Sequence, residues 1–352
     1  MALISSTGRR GLLLGAAASI VGNTCHAQDA VRRSPIIMPN GIGQSLEQKS
    51  TLYAEMSSLG PRGPNLSPPT KVVLPGGKGQ LVVWLPAGEP RGRVLVFSHG
   101  ELGSPELYAP LLEHWASHGF VVLAPVHQDS VIQNSVLEIA AAKAMGAFSV
   151  LTENDTWKVR IDALRTCLDA LPWLQSQFGV RMDDERPIVA GYSFGAFCAS
   201  MVMGTKAFLP TGGFLEMDDS RFYAALMLSP QGRGVFGLRD GSWDSMRRPS
   251  MWLTGEGDND ITNQSAAVKA EPWQLSPAGG RHLAWLSRMR SNWISGAQIR
   301  SGELSELVFS DVRAATTAFL RAYGDDDHRI LEGMSSTSMT IPAGGRLAME
   351  YR

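Results

Sequence analysis

Pro187-Ile188-Val189-Ala190-Gly191-Tyr192-Ser193-Phe194-Gly195-Ala196-Phe197 is the stretch on which the reading of this chain turns. Ile188 to Ala190 is a short apolar run that predicts a buried strand. Ala196 to Gly204 has helix-forming composition. Between them Ser193 stands two residues from a glycine on either side. A serine at Gly-x-Ser-x-Gly spacing between strand and helix is carried on a sharp turn that presents its hydroxyl above the sheet. The amides at the start of the following helix favour negative charge close by. Ser193 is therefore the candidate nucleophile, and the Phe194 amide is one candidate donor to a developing oxyanion. The motif alone is common, and its flanks are what make it informative.

Working outward, the flanks repeat the same grammar. Arg93 to Ser98 (RVLVFS), Phe120 to Ala124 (FVVLA), Phe222 to Leu228 (FYAALML), Met251 to Thr254 (MWLT) and His282 to Leu286 (HLAWL) are mainly apolar runs, as expected of strands covered on both faces. Leu107 to His118 has helical period. Trp157 to Phe178 reads as one long amphipathic helix ended by Gly179, and Val312 to Tyr323 reads as a closing helix. Lys71 to Leu74 and Gln80 to Leu85, joined through Pro75-Gly76-Gly77, predict a hairpin. Strands alternating with helices predict an α/β domain over residues 70–331, a mostly parallel central sheet with helices on both faces. Such sheets bind ligands beyond the carboxyl ends of their strands. Residues 28–69 read as a proline-punctuated lead-in with one short helix near Leu46 to Ser58, and residues 332–352 as a loosely packed tail.

The second oxyanion donor is expected after an earlier strand. Ser98-His99-Gly100-Glu101-Leu102 fits, with the amide of Glu101, or of Leu102, as the candidate and His99 holding the loop. An acid that would orient a histidine is expected after MWLT, where Gly255-Glu256-Gly257-Asp258-Asn259-Asp260 offers Asp258, with Asp260 as runner-up. Asp325-Asp326-Asp327-His328 looks like a metal cluster but follows the closing helix and reads as a solvated end. No metal and no cofactor is expected.

Taken together, VLVFSHGELGSPELY, HWASHGFVVLAPVHQDS, VRIDALRTCLDAL, IVAGYSFGAF, ALMLSPQG and LTGEGD resemble the dienelactone-hydrolase and platelet-activating-factor-acetylhydrolase branch of the α/β-hydrolase superfamily, which includes cutinase-like polyesterases. The resemblance covers roughly Lys71 to Leu331. It implies the α/β-hydrolase fold, a Ser–Asp–His triad in that chain order, no metal, and ester or thioester hydrolysis through an acyl-enzyme. The chain departs from the pattern at the base. The family's histidine would fall near Arg290, Ser291 or Asn292, and Ser287 to Trp293 contains none. Chain order selects His282, whose place at the start of a strand is the wrong end of a parallel sheet. Three readings stay open: His282 is the base, His127 or His99 substitutes for it, or no base exists.

The formal net charge is −1, which gives no field for a nucleic acid or an acidic membrane. Arg9-Arg10, the apolar stretch Gly11 to Gly22 and Cys25-His26-Ala27 read as a twin-arginine-like signal over residues 1–27, so a periplasmic or secreted protein with no membrane span after cleavage is expected. Of the three cysteines, Cys167 and Cys198 would remain, as a bridge or as two buried thiols. Trp243, Trp252 and Trp293 would support a polyesterase if they were exposed. The expectation is an exported serine hydrolase acting on a small-molecule or lipid ester. The alternative is a relative that kept the fold as a binding protein and lost turnover.

Overall fold

The computed structural model describes residues 46–63, 68–88, 91–130, 154–260, 262–334 and 337–352. The signal reading over 1–27 and most of the lead-in lie outside these residues. The strands are β1 (Thr70–Val73), β2 (Gln80–Trp84), β3 (Arg91–Ser98), β4 (Phe120–Val126), β5 (Arg181–Tyr192), β6 (Lys206–Phe208), β7 (Phe214–Glu216), β8 (Ala224–Leu228), β9 (Ser250–Gly255), β10 (Arg281–Leu286) and β11 (Leu347–Tyr351). The helices are α1 (Leu46–Ser57), α2 (Ala109–Ser117), α3 (Asn154–Asp169), α4 (Leu171–Phe178), α5 (Phe194–Met201), α6 (Ala266–Lys269), α7 (Glu271–Leu275), α8 (Leu304–Gly324), α9 (His328–Met334) and α10 (Thr337–Thr340).

Nine strands form one sheet in the order β1-β2-β4-β3-β5-β8-β9-β10-β11. The six from β4 to β10 run parallel. The expected hairpin is antiparallel β1–β2, and β2 joins β4 antiparallel. This mixed α/β architecture, with its large and mostly parallel sheet, is compatible with an α/β-hydrolase. The pleat explains why the strands read as unbroken apolar runs. Leu95 and Phe97 of β3 pack with Leu111 and Trp115 of α2 and Phe319 of α8. Their neighbours Val94 and Val96 pack with Ile161 and Leu164 of α3 and Phe197 of α5. Alternate residues point to opposite faces, and here both faces are covered. Phe97 and Trp115 are 0 % exposed. Truncating either to Ala would cost about 3–5 kcal/mol.

Three expectations need correction. The long helix from Trp157 is two helices, because Pro172 lacks an N–H and its ring crowds the carbonyl four residues back. The chain breaks at Ala170 and α4 begins with the proline in its first turn. Gly179 still ends it, in the left-handed region at φ 64. The tail is not loose either: β11 pairs antiparallel with β10, from His282 opposite Tyr351 to Leu286 opposite Leu347. HLAWL is thus an inner strand. Trp243 and Trp252 are core residues, 1 % and 0 % exposed, and only Trp293, under the Arg290 guanidinium, is partly buried.

The acidic end of α8 is taken up by arginines. Asp325 pairs with Arg93 and Arg321, Asp326 with Arg186, and Asp327 with Arg329. Cys167 and Cys198 are both buried free thiols. No described helix is long and apolar enough to cross a membrane.

Candidate active site

Ser193 is held at φ 50, ψ −119, a positive φ that costs a non-glycine residue energy and that surrounding contacts must enforce. Its amide donates to Leu228 O at 2.9 Å, and α5 starts at the next residue. Two glycines make the turn possible by close approach. A Cβ at Gly191 would lie 2.1 Å from Gly195 O, and one at Gly195 would lie 2.0 Å from Ser98 O. The serine therefore stands where the carboxyl ends of β3, β5 and β8 converge.

The loop after β3 is fixed from below by a residue that sequence reasoning did not single out. Arg160 of α3 is fully buried, ion-pairs with Asp129 at 2.6 Å, and donates to His99 O at 2.7 Å and Gly100 O at 3.1 Å. Asp129 in turn accepts the Leu102 amide at 3.1 Å. The open choice between two amides is thereby narrowed, since that of Leu102 is spent. The Gly100 carbonyl faces Arg160, so across a trans peptide the Glu101 N–H points the opposite way. No acceptor among the described residues, apart from its own carboxylate, takes that N–H. The signal for Arg160 was present: Trp157, Arg160, Ile161 and Leu164 form one helical stripe, and an arginine on a buried stripe is held there by a partner.

Among the described residues, the structure brings no histidine to Ser193. His282 is the only histidine between Asp258 and the final helix, but the structure sets it away from Ser193. It is the second residue of β10, at the end away from the site, and its Nε2 pairs with the Tyr323 hydroxyl at 2.8 Å. Phe319, Tyr323 and Tyr351 surround the ring, and burial depresses its pKa to about 3. His99 donates from Nδ1 to Gly100 O at 2.7 Å and accepts the His127 amide at 3.3 Å. His127 pairs with Ser98 Oγ at 2.8 Å. Both rings hold the β3–β4 floor, and neither reaches the serine. Ser291 is used by Asn259 O at 2.5 Å.

What Ser193 does meet is acidic. Its hydroxyl lies 3.0 Å from Glu101 Oε2 and 3.4 Å from Asp260 Oδ2. Asp258, the expected acid, is 1 % exposed and follows β9 as anticipated, but its partners are not a ring. Ser229 donates to Oδ1 and Thr254 to Oδ2, each at 2.7 Å. Lys269 occupies the space between the two aspartates. Its Nζ, in a side chain 0 % exposed, lies 2.7 Å from Asp260 Oδ2, 2.8 Å from Ser229 Oγ and 3.7 Å from Asp258 Oδ1. A lone lysine in the apolar run Ala266 to Ala270 was the signal for it.

Electrostatics separate the three carboxylates. Burial pushes Asp258 up, against the opposing charge of Lys269. Burial also raises Asp260, but the Lys269 charge and the hydrogen bonds from Lys269, Thr262 and Gln231 outweigh it, so its pKa falls below the usual carboxylate value. Glu101 is raised, chiefly by burial and further by the charge of Asp260, against its own amide, the Ser193 hydroxyl and Arg160.

Residues 68–156 match the chlorophyllase family model. The match runs from β1 into the first turn of α3 and includes the loop that carries Glu101. Chlorophyllase-1, chloroplastic, of Citrus sinensis is 33 % identical over 91 residues, which is 24 % of this chain and 28 % of that protein. The chain thus spans under a third of that relative's length. Chlorophyllases are α/β-hydrolases, in keeping with the sheet described above.

Proposed function

We propose that this protein is a carboxylic ester hydrolase that works through an acyl-enzyme on Ser193. The observation that carries the reading is the serine itself, held at positive φ between β5 and α5 over two glycines that tolerate no side chain. The partial similarity to chlorophyllase supports ester hydrolysis as the reaction type, and the quoted motifs resemble the dienelactone-hydrolase and acetylhydrolase branch. In this reading Ser193 Oγ attacks the carbonyl carbon, and the amides of Phe194 and Glu101 receive the oxyanion. The substrate is a small-molecule or lipid ester, the catalytic domain takes in residues 70–331 together with β11, which completes its sheet, and residues 1–27 direct export.

The test is covalent labelling by a fluorophosphonate, read by intact mass and peptide mapping, beside turnover of p-nitrophenyl acetate. Labelling at Ser193, with labelling and turnover abolished in Ser193→Ala, is expected. Full turnover in that variant would overturn the proposal. N-terminal sequencing of the protein from a periplasmic fraction tests export, for which a start at Gln28 is expected.

A second reading, a binding protein without turnover, is favoured by one observation: carboxylates stand beside Ser193 where an imidazole is expected. A hydroxyl with no base is a poor nucleophile, although oxyanion donors and binding alone leave a residual ~10³–10⁴-fold rate over water. A folded wild-type protein that takes no label would establish this second reading.

A further inference from the structure

The ester-hydrolase reading leaves open what removes the proton from Ser193, and the inference here rests on that reading. Any acceptor must lie within hydrogen-bond reach of Oγ, and among the described residues two carboxylates do. Asp260 is the poorer of them. It is farther away, and the oxygen that faces Ser193 is the one that already accepts from Lys269 at 2.7 Å and from Gln231 at 3.2 Å. A carboxylate tied to a buried ammonium gives up little charge to a new proton. Glu101 is closer, and its Oε2 has no cation on it: Arg160 is committed to Asp129 and two carbonyls, and Lys269 to Asp260.

We propose that Glu101 is the catalytic general base of this site, and that Lys269 is a positioning residue that cancels the charge of Asp260 so that a single active carboxylate faces the serine. As the Oγ–carbon bond forms, the Ser193 proton passes to Glu101 Oε2 and the carbonyl π pair moves onto oxygen, facing the amides of Phe194 and Glu101. Collapse of the intermediate breaks the ester C–O bond, and the departing alkoxide takes the proton from Glu101. Water then attacks the acyl-serine and gives its proton to Glu101. When that second intermediate collapses, Ser193 Oγ leaves and recovers the proton. Atoms, charge and the carboxylate are all restored.

One local feature makes the residue suited to the work. The Glu101 amide stabilises the residue's own carboxylate in the free protein. A substrate carbonyl that claims this amide removes that stabilisation, so the carboxylate becomes more basic when the ester is in place. The groups facing it are Ser193 and Tyr192 from the β5 turn, Asp260 backed by Lys269 from the loop after β9, Arg160 from α3, and Tyr108 beyond Gly100. The tyrosines are raised by burial, away from the working range, and the arginine stays charged. Ionisation of Glu101 is therefore expected to dominate the acid limb of the rate.

The experiment compares fluorophosphonate labelling rates from pH 4 to 8 for wild type, Glu101→Gln and Glu101→Asp, with thermal melts to verify folding. Glu101→Gln keeps the oxyanion amide and the side-chain shape but cannot accept the proton. A loss of about 10²–10⁴-fold is expected, together with loss of the acid limb, and Glu101→Asp should recover part of the rate. Lys269→Met, if folded, should leave two competing carboxylates and move the acid limb to higher pH. A Glu101→Gln rate equal to or above wild type would overturn this inference and leave the ester-hydrolase reading intact. No labelling of folded wild type would overturn both.

Discussion

Two buried polar pockets of this molecule resolve the same problem in opposite ways. At the start of β10, His282 lies among Phe319, Tyr323 and Tyr351 with one hydroxyl partner, and burial keeps the ring neutral. At the carboxyl ends of β5 and β9, Glu101 and Asp260 reach Ser193, and Asp260 keeps its charge because the Lys269 ammonium lies between it and Asp258. A titratable group taken from water either gives up its charge or finds a partner. The first solution builds a core, and the second leaves a group that can react. In the proposed reading chain order therefore does not lead to the base, whereas a lysine in an apolar run is the sequence trace of the carboxylate cluster beside Ser193.

The largest expected effect tests the neutral solution across the fold. His99, His114, His118, His127 and His282 are all held below the ordinary imidazole value, chiefly by burial, three of them to about 3. The unfolded chain takes up protons near 6.5 and the folded one does not. Stability is therefore full above that value and falls as pH drops through it, by up to about 1.4 kcal/mol per pH unit for each histidine. Urea midpoints should decline steeply from pH 6.5 to 4.5, a window above most carboxylate titrations. A flat midpoint would mean that these rings are already protonated in the folded protein.

Next comes the charged solution. Lys269→Met leaves Asp258 and Asp260 buried without their cation and is expected to cost about 3–5 kcal/mol, read as a lower urea midpoint. A loss under about 1 kcal/mol would show that the two aspartates share a proton and need no ammonium.

His282→Leu should be milder. It orphans the Tyr323 hydroxyl, at a cost of about 1–3 kcal/mol, while leaving ester turnover within a factor of about two of wild type. A collapse of turnover in a folded variant would return His282 to the site and contradict the strand register that places it opposite Met251.

How far the sequence carried the reading follows from the same contrast. The strand–turn–helix setting of Ser193 and Phe194 was legible because backbone geometry dictates it: Gly191 and Gly195 can hold no Cβ, and apolar runs of strand length announce the sheet. Asp258 was placed correctly in the chain by its strand, yet Ser229, Thr254 and Lys269 as its partners come from three separate loops that no local pattern links. Strand β11 was missed because Leu347 to Tyr351 is short and mixed, and it is ordered by pairing with β10 rather than by its own propensity. Pro172, by contrast, is a local breaker whose missing N–H overrides the strong helical period around it.

The smallest expected effect bears on Glu101 itself. Its pKa is raised, so the folded protein binds the proton more tightly than the unfolded chain does. Stability from this group is then present at low pH and is lost as pH rises through the ordinary value of 4.5 and on through the folded value. Above the ordinary value, burial without a cation resists the ionisation that the unfolded chain allows, so Glu101→Gln should raise the melting temperature slightly at pH 7. The gain should vanish below pH 4, where the wild-type carboxyl is itself protonated. Residues that weaken a fold and are still indispensable to turnover belong to reactive sites. A Glu101→Gln variant that is both slower and more stable at pH 7, with the stability gain absent in acid, would separate this carboxylate from the structural ones around it. A variant less stable at every pH would instead make Glu101 a strut of the loop, with its contact to Ser193 incidental.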